Sequence, residues 1–265
     1  MGRVYTTTAD GWLHRPATRA CAAINLFCFS HAGGEASTFR QWPAGLPSWL
    51  ELWAVQLPGR NSRWREAPIP TVPAIVDALI PVLSPYLGLP FAFFGHSMGA
   101  VLASEVAHAL SRRGSLTPHH LFVSGRRPPH MPGSEPDLHT LPDNEFIKEI
   151  DRRYGGVPGE LFDSPDMLAL FVPPLRADIA ALETFKPTRR AALPCAISAF
   201  GGAQDAVAPP SHLEAWRDQT EGPFRVRLFP GGHFYMNSQL SVLLAEVTAT
   251  LAPMLKSHEQ AVVTV

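Results

Sequence analysis

Cysteine is scarce: Cys21, Cys28 and Cys195 are the only three in 265 residues. Thiols so few and so far apart make neither a disulfide framework nor a zinc cluster. Cys28 and Cys195 lie in apolar, strand-like runs and read as buried thiols. An excess of one charge is also lacking, since 22 Lys+Arg stand against 23 Asp+Glu for a formal charge of −1. A protein that meets phosphate backbones carries a basic excess or stripe, so nucleic acid is excluded as the partner. No run of about 18 uncharged apolar residues occurs, which excludes a membrane-spanning helix. Met1 to Arg19 has no apolar core of signal-peptide length. Gly2 with Thr6 fits a myristoylation pattern, but one too loose to carry an anchor. A soluble, cytoplasmic chain is expected. It has no internal repeat and no Gly/Ser linker, so residues 1–265 read as one domain, with 257–265 as a flexible tail.

What is present is apolar content and proline. Hydrophobic residues make up 46% and charged residues 17%, enough for a sizeable core. The 27 prolines follow no Gly-X-Y period and mark ordered loop corners. Short apolar runs alternate with amphipathic segments. Ile24–Phe29, Glu51–Gln56, Phe91–Phe94, His120–Ser124, Cys195–Phe200 and Arg225–Phe229 read as strands. Four of these are almost continuously apolar, as expected for parallel strands covered on both faces. Val72–Tyr86, Met98–Arg112, Ser211–Gln219 and Ser238–Leu255 carry helical spacing. This alternation predicts an α/β layered fold with a mostly parallel central sheet.

From about 128 to 188 the pattern becomes purely helical. Asp143 can cap a helix with Phe146, Ile147, Ile150 and Tyr154 on one face, stopped by Gly155-Gly156, and a second amphipathic run uses Leu168, Phe171, Leu175, Ile179 and Leu182. An insertion of about 60 residues is longer than an ordinary crossover. It reads as a lid over a binding site, with a plain pair of crossover helices as the alternative.

Phe91 to Ala100 carries the chemistry. An apolar strand runs into Gly95-His-Ser-Met-Gly99 and then into a helix, the strand–turn–helix context of a nucleophile elbow. The bare Gly-x-Ser-x-Gly would arise by chance on the order of 0.1 times in such a chain; its flanks make it specific. Ser97 is the candidate nucleophile. A serine needs a base and the base an orienting acid, and in this arrangement the chain order is Ser, acid, His. His233 follows an apolar strand in Phe229-Pro-Gly-Gly-His-Phe-Tyr235 and precedes the last helix. His14, His119, His120, His130, His139, His212 and His258 are placed worse, His108 is inside the helix after the elbow, and His96 is adjacent to the nucleophile and expected to point elsewhere. Asp205 lies just beyond an apolar strand, between Ser97 and His233 in the chain. Asp137, Asp143, Asp163, Asp166 and Asp178 fall in the helical insertion and are less suitable. An oxyanion requires two backbone N–H donors. Met98, after the nucleophile, should supply one, and Ala32, in Phe29-Ser-His-Ala-Gly-Gly34, the other, with Gly33 as the adjacent alternative.

His31-Ala-Gly-Gly34, Leu57-Pro-Gly-Arg60, Phe94-Gly-His-Ser-Met-Gly99, Ser124-Gly-Arg-Arg127 and Leu228-Phe-Pro-Gly-Gly-His-Phe234, in that order, resemble the type II thioesterases of nonribosomal peptide and polyketide synthases. The resemblance runs from about Ile24 to Leu255. It implies an α/β-hydrolase fold with a helical lid. It implies hydrolysis of acyl thioesters from the phosphopantetheine arm of carrier-protein domains, met transiently by a monomer, with no metal or organic cofactor. It also carries the triad onto Ser97, Asp205 and His233 and the oxyanion donors onto Ala32 and Met98. Two departures stand out: Ser30 occupies an often-proline position, and Gly201-Gly-Ala-Gln-Asp205 differs from the usual Gly-x-x-Asp spacing. A carboxylester hydrolase or acyltransferase using the same triad is the nearest alternative. A non-catalytic binding protein would lack a triad member, and none is missing.

Overall fold

The computed structural model describes residues 6–8, 10–114, 116–131, 137–159, 164–188 and 190–263. Eight strands form one sheet: β1 (Thr6–Thr7), β2 (Leu13–Arg15), β3 (Ile24–Phe29), β4 (Leu50–Val55), β5 (Phe91–His96), β6 (His120–Ser124), β7 (Ala196–Gly202) and β8 (Phe224–Phe229). Their order is β1-β2-β4-β3-β5-β6-β7-β8. β2 pairs antiparallel with both β1 and β4, and the remaining neighbours pair parallel. The two antiparallel-pairing strands β1 and β2 were not foreseen, because strands of two and three residues show no usable period. All six expected strands are present, Ile24–Phe29 and His120–Ser124 with the expected bounds and the other four with ends shifted by one or two residues.

The helices are α1 (Val72–Leu83), α2 (Met98–Gly114), α3 (Asp143–Tyr154), α4 (Pro165–Thr184), α5 (Pro210–Glu214), α6 (Tyr235–Ser238) and α7 (Leu240–Val263). The expected Ser211–Gln219 helix is α5 continued by a 3₁₀ segment, Ala215–Gln219. The last helix, expected to stop near Leu255, runs to Val263, because the Gln260-Ala261 stretch holds no breaker. Among the described residues no helix is long and apolar enough to cross a membrane. Gly2 lies outside them.

The strand residues alternate between two cores, as the two-residue period of a strand requires. Phe27, Phe93, Leu121 and Ile197 face one cluster, which α1 and α2 cover. Leu26, Phe94, Phe122 and Phe200 face the other, covered by Phe39, Trp42 and the Leu243, Leu244 and Val247 face of α7. The edge strand β8 carries exposed Arg225 and Arg227, both paired with Glu246, which discourages further strand pairing.

Between β6 and β7 lie α3 and α4. They bury Phe146, Ile147 and Ile150 against Val172, Leu175 and Ile179 in a third, separate core. Pro142, not Asp143, occupies the cap position of α3; Asp143 is the first helical residue and bonds Arg176 at 2.6 Å.

Register explains where a site can form. Phe29 pairs with Gly95, His96 with Ser124, and Gly202 with Phe229. The carboxyl ends of β3, β5, β6, β7 and β8 therefore meet along one edge of the sheet. The loops that follow them carry Ala32, Ser97, Gly125, Asp205 and His233.

Candidate active site

Ser97 has φ of +54°, one of two non-glycine residues in the left-handed region among those described. The turn is that tight because β5 must reverse directly into α2. A Cβ on Gly95 would lie 2.0 Å from the Gly99 carbonyl oxygen, and one on Gly99 would lie 2.1 Å from that of Phe29. Only glycine fits at either position. The strain is held from the neighbouring strand, where Ser97 N–H donates to Ser124 O at 2.7 Å. Met98, fully buried, opens α2, so its N–H lies at the positive end of that helix.

Asp205 and His233 come together from the loops after β7 and β8. His233 Nδ1 lies 2.8 Å from Asp205 Oδ2, and both side chains are buried. The other carboxylate oxygen accepts from the amides of Val207 at 2.9 Å and Ala208 at 3.3 Å, which fixes the plane of the acid. Asp205 N–H closes a turn onto Gly202 O at 3.1 Å, so the Gly-x-x-Asp spacing is in fact present when counted from Gly202. The departure read from Gly201 is therefore corrected. His233 Nε2 is buried without a hydrogen-bond partner among the described residues. Ser97, His233 and Ala32 line one cavity of about 180 Å³, roofed by Ile150, Tyr154 and Phe171 of the insertion. The structure thus brings the three expected triad residues, and the loop expected to hold the second oxyanion donor, to one place.

Of the two donors left open on that loop, Gly33 is engaged: its N–H donates to Asp178 Oδ2 at 2.7 Å. Asp178 is bonded in turn by Arg60 through both terminal guanidinium nitrogens, Nη2 to Oδ1 at 2.8 Å and Nη1 to Oδ2. Sequence reading set Asp178 aside as a poor triad acid, which it is, but it missed that this carboxylate reaches the site for another purpose. Among the described residues the carboxylate bonded to His233 is that of Asp205; Asp137, Asp143 and Asp166 lie in the insertion, and Asp163 lies outside the described residues.

Two further histidines were missed. The His96 ring centroid is 5.0 Å from that of His233. Expected to point away from the nucleophile's chemistry, His96 instead sits beside the base, its Nδ1 2.9 Å from Ser124 Oγ, which is itself 2.7 Å from the Tyr235 hydroxyl. The His31 ring centroid lies 6.1 Å from that of His96. Burial, with His233 nearby, pushes His96 well below the ordinary histidine range and His31 down to about 4. Both stay neutral at pH 7, so neither adds a cation beside an imidazolium forming at His233. No periodicity marks such rings; only the fold brings residues 31, 96 and 233 together.

Buried neutral histidines make stability pH-dependent. Burial also lowers His108 to about 3 and His120 to about 4. In the unfolded chain each takes up a proton near pH 6.5, whereas the folded chain resists it until far lower pH. The unfolded state then binds more protons, so stability is full above about pH 6.5 and falls as pH drops, by up to about 1.4 kcal/mol per pH unit for each histidine. Denaturant unfolding at pH 7.5 and 5.5 should show a loss of a few kcal/mol at the lower pH. Equal stability at both would contradict the neutral assignments.

Burial likewise pushes the Cys195 thiol up to about 12 and raises Cys28, while Cys21 is exposed; all three are free. Among the described residues, only Asp137, His139 and Glu183 could jointly hold a metal ion. Glu183 already accepts from the Leu138 and His139 amides and lies 2.6 Å from His139 Nδ1, so the group works as a cap on that turn.

The Thioesterase domain family matches residues 24–251. The chain belongs to that family. This thioesterase is 36% identical to the gramicidin S biosynthesis protein GrsT of Aneurinibacillus migulanus, over 88% of this chain and 90% of that protein. It is 39% identical to LgrE of Brevibacillus parabrevis, over 91% and 92% of the two chains. LgrE is named a linear gramicidin dehydrogenase, yet the present chain has no Gly-x-Gly anywhere, the turn on which a dinucleotide pyrophosphate rests. Among solved structures it resembles the type II thioesterase BorB of the borrelidin biosynthetic cluster, with a TM-score of 0.83 and 31% identity over 93% of this chain and 98% of that one. The fold is that of the α/β-hydrolases, and the chain is a thioester hydrolase.

Proposed function

We propose that this thioesterase removes acyl groups from the phosphopantetheine arm of carrier-protein domains, as an editing enzyme beside a nonribosomal peptide or polyketide synthase. One observation carries the reading: a serine on a strained elbow and a histidine held by a buried carboxylate share an apolar cavity under a helical insertion. The relatives' names support the pathway class.

Ser97 Oγ attacks the thioester carbonyl while His233 Nε2 takes its proton. Asp205 holds the proton on Nδ1, so that Nε2 is the basic nitrogen. The N–H groups of Met98 and Ala32 receive the developing oxyanion. The pantetheine thiol leaves with the proton from His233, and water then repeats the sequence on the acyl-serine. No step requires a metal or organic cofactor. The enzyme works as a cytoplasmic monomer and meets its carrier only briefly. The α3–α4 insertion acts as the lid of the acyl cavity.

The carrier should contribute binding energy of its own. An acyl group on carrier protein is therefore expected to be cleaved with kcat/KM at least tenfold above that of the same acyl group on N-acetylcysteamine. Equal values on the two thiols would favour a general esterase.

A further inference from the structure

Resting on the proposed chemistry, we propose that Asp178, with Arg60, is a positioning residue for the oxyanion loop, and that docking of α4 and completion of the oxyanion site are a single event. Asp178 lies on the buried face of α4 between Leu175 and Ile179, where an apolar residue would pack at no electrostatic cost. Its carboxylate is 1% exposed and Arg60 5% exposed. A charge so deeply buried is retained only if every lone pair is used. Here the uses point at residues 33 and 34. Gly33 N–H donates to Asp178 at 2.7 Å, and Arg60 Nη1 reaches the Gly34 carbonyl at 3.4 Å. Arg60 Nε is tied to Pro58 O at 3.3 Å, which anchors the guanidinium to its own turn.

One carboxylate on the lid and one guanidinium on the body thus hold the loop by its N–H and its C=O. With Gly33 N–H committed to Asp178, the peptide joining Ala32 to Gly33 has one orientation, and the preceding N–H, that of Ala32, is left for the substrate oxygen. Packing makes the same connection. Gly33 has φ of +72°, and a Cβ there would stand 3.0 Å from Leu175 Cδ1, so α4 rests directly on the loop. Lifting α4 to admit an acyl arm would strip Gly33 of its acceptor and Arg60 of its counter-ion together. The open enzyme binds; only the closed one has its oxyanion donors set.

The test is the double variant Arg60→Met/Asp178→Leu, which removes both charges at once and so leaves no lone buried ion. A truncated oxyanion site costs turnover rather than binding: kcat should fall about 10- to 100-fold with KM within about twofold. Inhibition by an alkylboronic acid, whose tetrahedral serine adduct needs the same donors, should weaken by a similar factor. Affinity for the free carboxylic acid product should not move. A folded variant with wild-type kcat and unchanged boronate inhibition would overturn the proposal. So would an equal loss for boronate and carboxylic acid, the sign of a purely structural role. Should the double variant not fold, Asp178→Ala, which removes the acceptor of the Gly33 N–H, is measured on the same boronate-to-acid ratio, and an unchanged ratio overturns the proposal. The exchange Arg60→Asp/Asp178→Arg restores a pair but offers Gly33 no acceptor, so stability should return without kcat. Failure of the hydrolase reading itself would appear differently, as a wild-type enzyme indifferent to the boronate.

Discussion

Ser97→Ala is expected to lower kcat for thioester hydrolysis by about three orders of magnitude or more, with the fold intact. The fold survives because what holds the elbow is backbone: Ser97 N–H to Ser124 O at 2.7 Å, and Gly95 and Gly99 in contacts no Cβ could enter. Alanine keeps all of these and loses only Oγ. Activity collapses because, among the described residues, the cavity lining holds no second serine, threonine or cysteine, and the buried thiols Cys28 and Cys195 are held protonated by their surroundings. Residual hydrolysis would come from water bound against the oxyanion donors. Steady-state kinetics beside a circular dichroism spectrum check both halves. A folded Ser97→Ala enzyme with near-normal turnover would remove Ser97 from the mechanism.

Asp205→Asn should cost about four orders of magnitude in kcat, the loss expected when the base is held in the wrong tautomer. Oδ1 of Asp205 accepts from two backbone amides, which would keep the asparagine oxygen on that side. The amide nitrogen would then face His233 Nδ1, where Oδ2 now stands at 2.8 Å. A donor there requires Nδ1 to accept, which moves the imidazole proton to Nε2. His233 could no longer take a proton from Ser97. The geometry would hardly change while the chemistry stops, so a near-native melting temperature with a collapsed kcat is the outcome to look for. A tenfold effect or less would mean that Asp205 only packs against the base.

How legible all this was depends on the sequence distance over which each feature is built. The elbow is local: strand, glycine, serine, glycine and helix lie within a dozen residues, and sterics restrict what such a run can become. Asp205 and His233 were found because each follows an apolar strand, and a parallel sheet gathers the carboxyl ends of its strands at one edge. The helical insertion was visible from its spacing and its length. What stayed hidden depends on packing across distance. Arg60 and Asp178 stand 118 residues apart, and neither carries a local sign of its partner. Leu57-Pro-Gly-Arg60 was noticed as a motif, but nothing in four residues says that its arginine reaches the oxyanion loop. His31 and His96 are ordinary letters until β3 and β5 pair side by side. The β1–β2 pair is too short to show a period, and α7 overran its expected end by carrying Pro253 inside it, with no glycine or proline between Leu255 and Val263 to stop it.

The central claim is that the acyl group passes through Ser97, and the direct measurement is rapid quenching of wild-type enzyme with an acyl-loaded carrier protein, followed by peptide mass spectrometry. The acyl mass should appear on Ser97, rise within the first turnover and be absent from the Ser97→Ala enzyme. Hydrolysis proceeding with no acyl-enzyme at any time, or with the acyl mass on another residue, would contradict it.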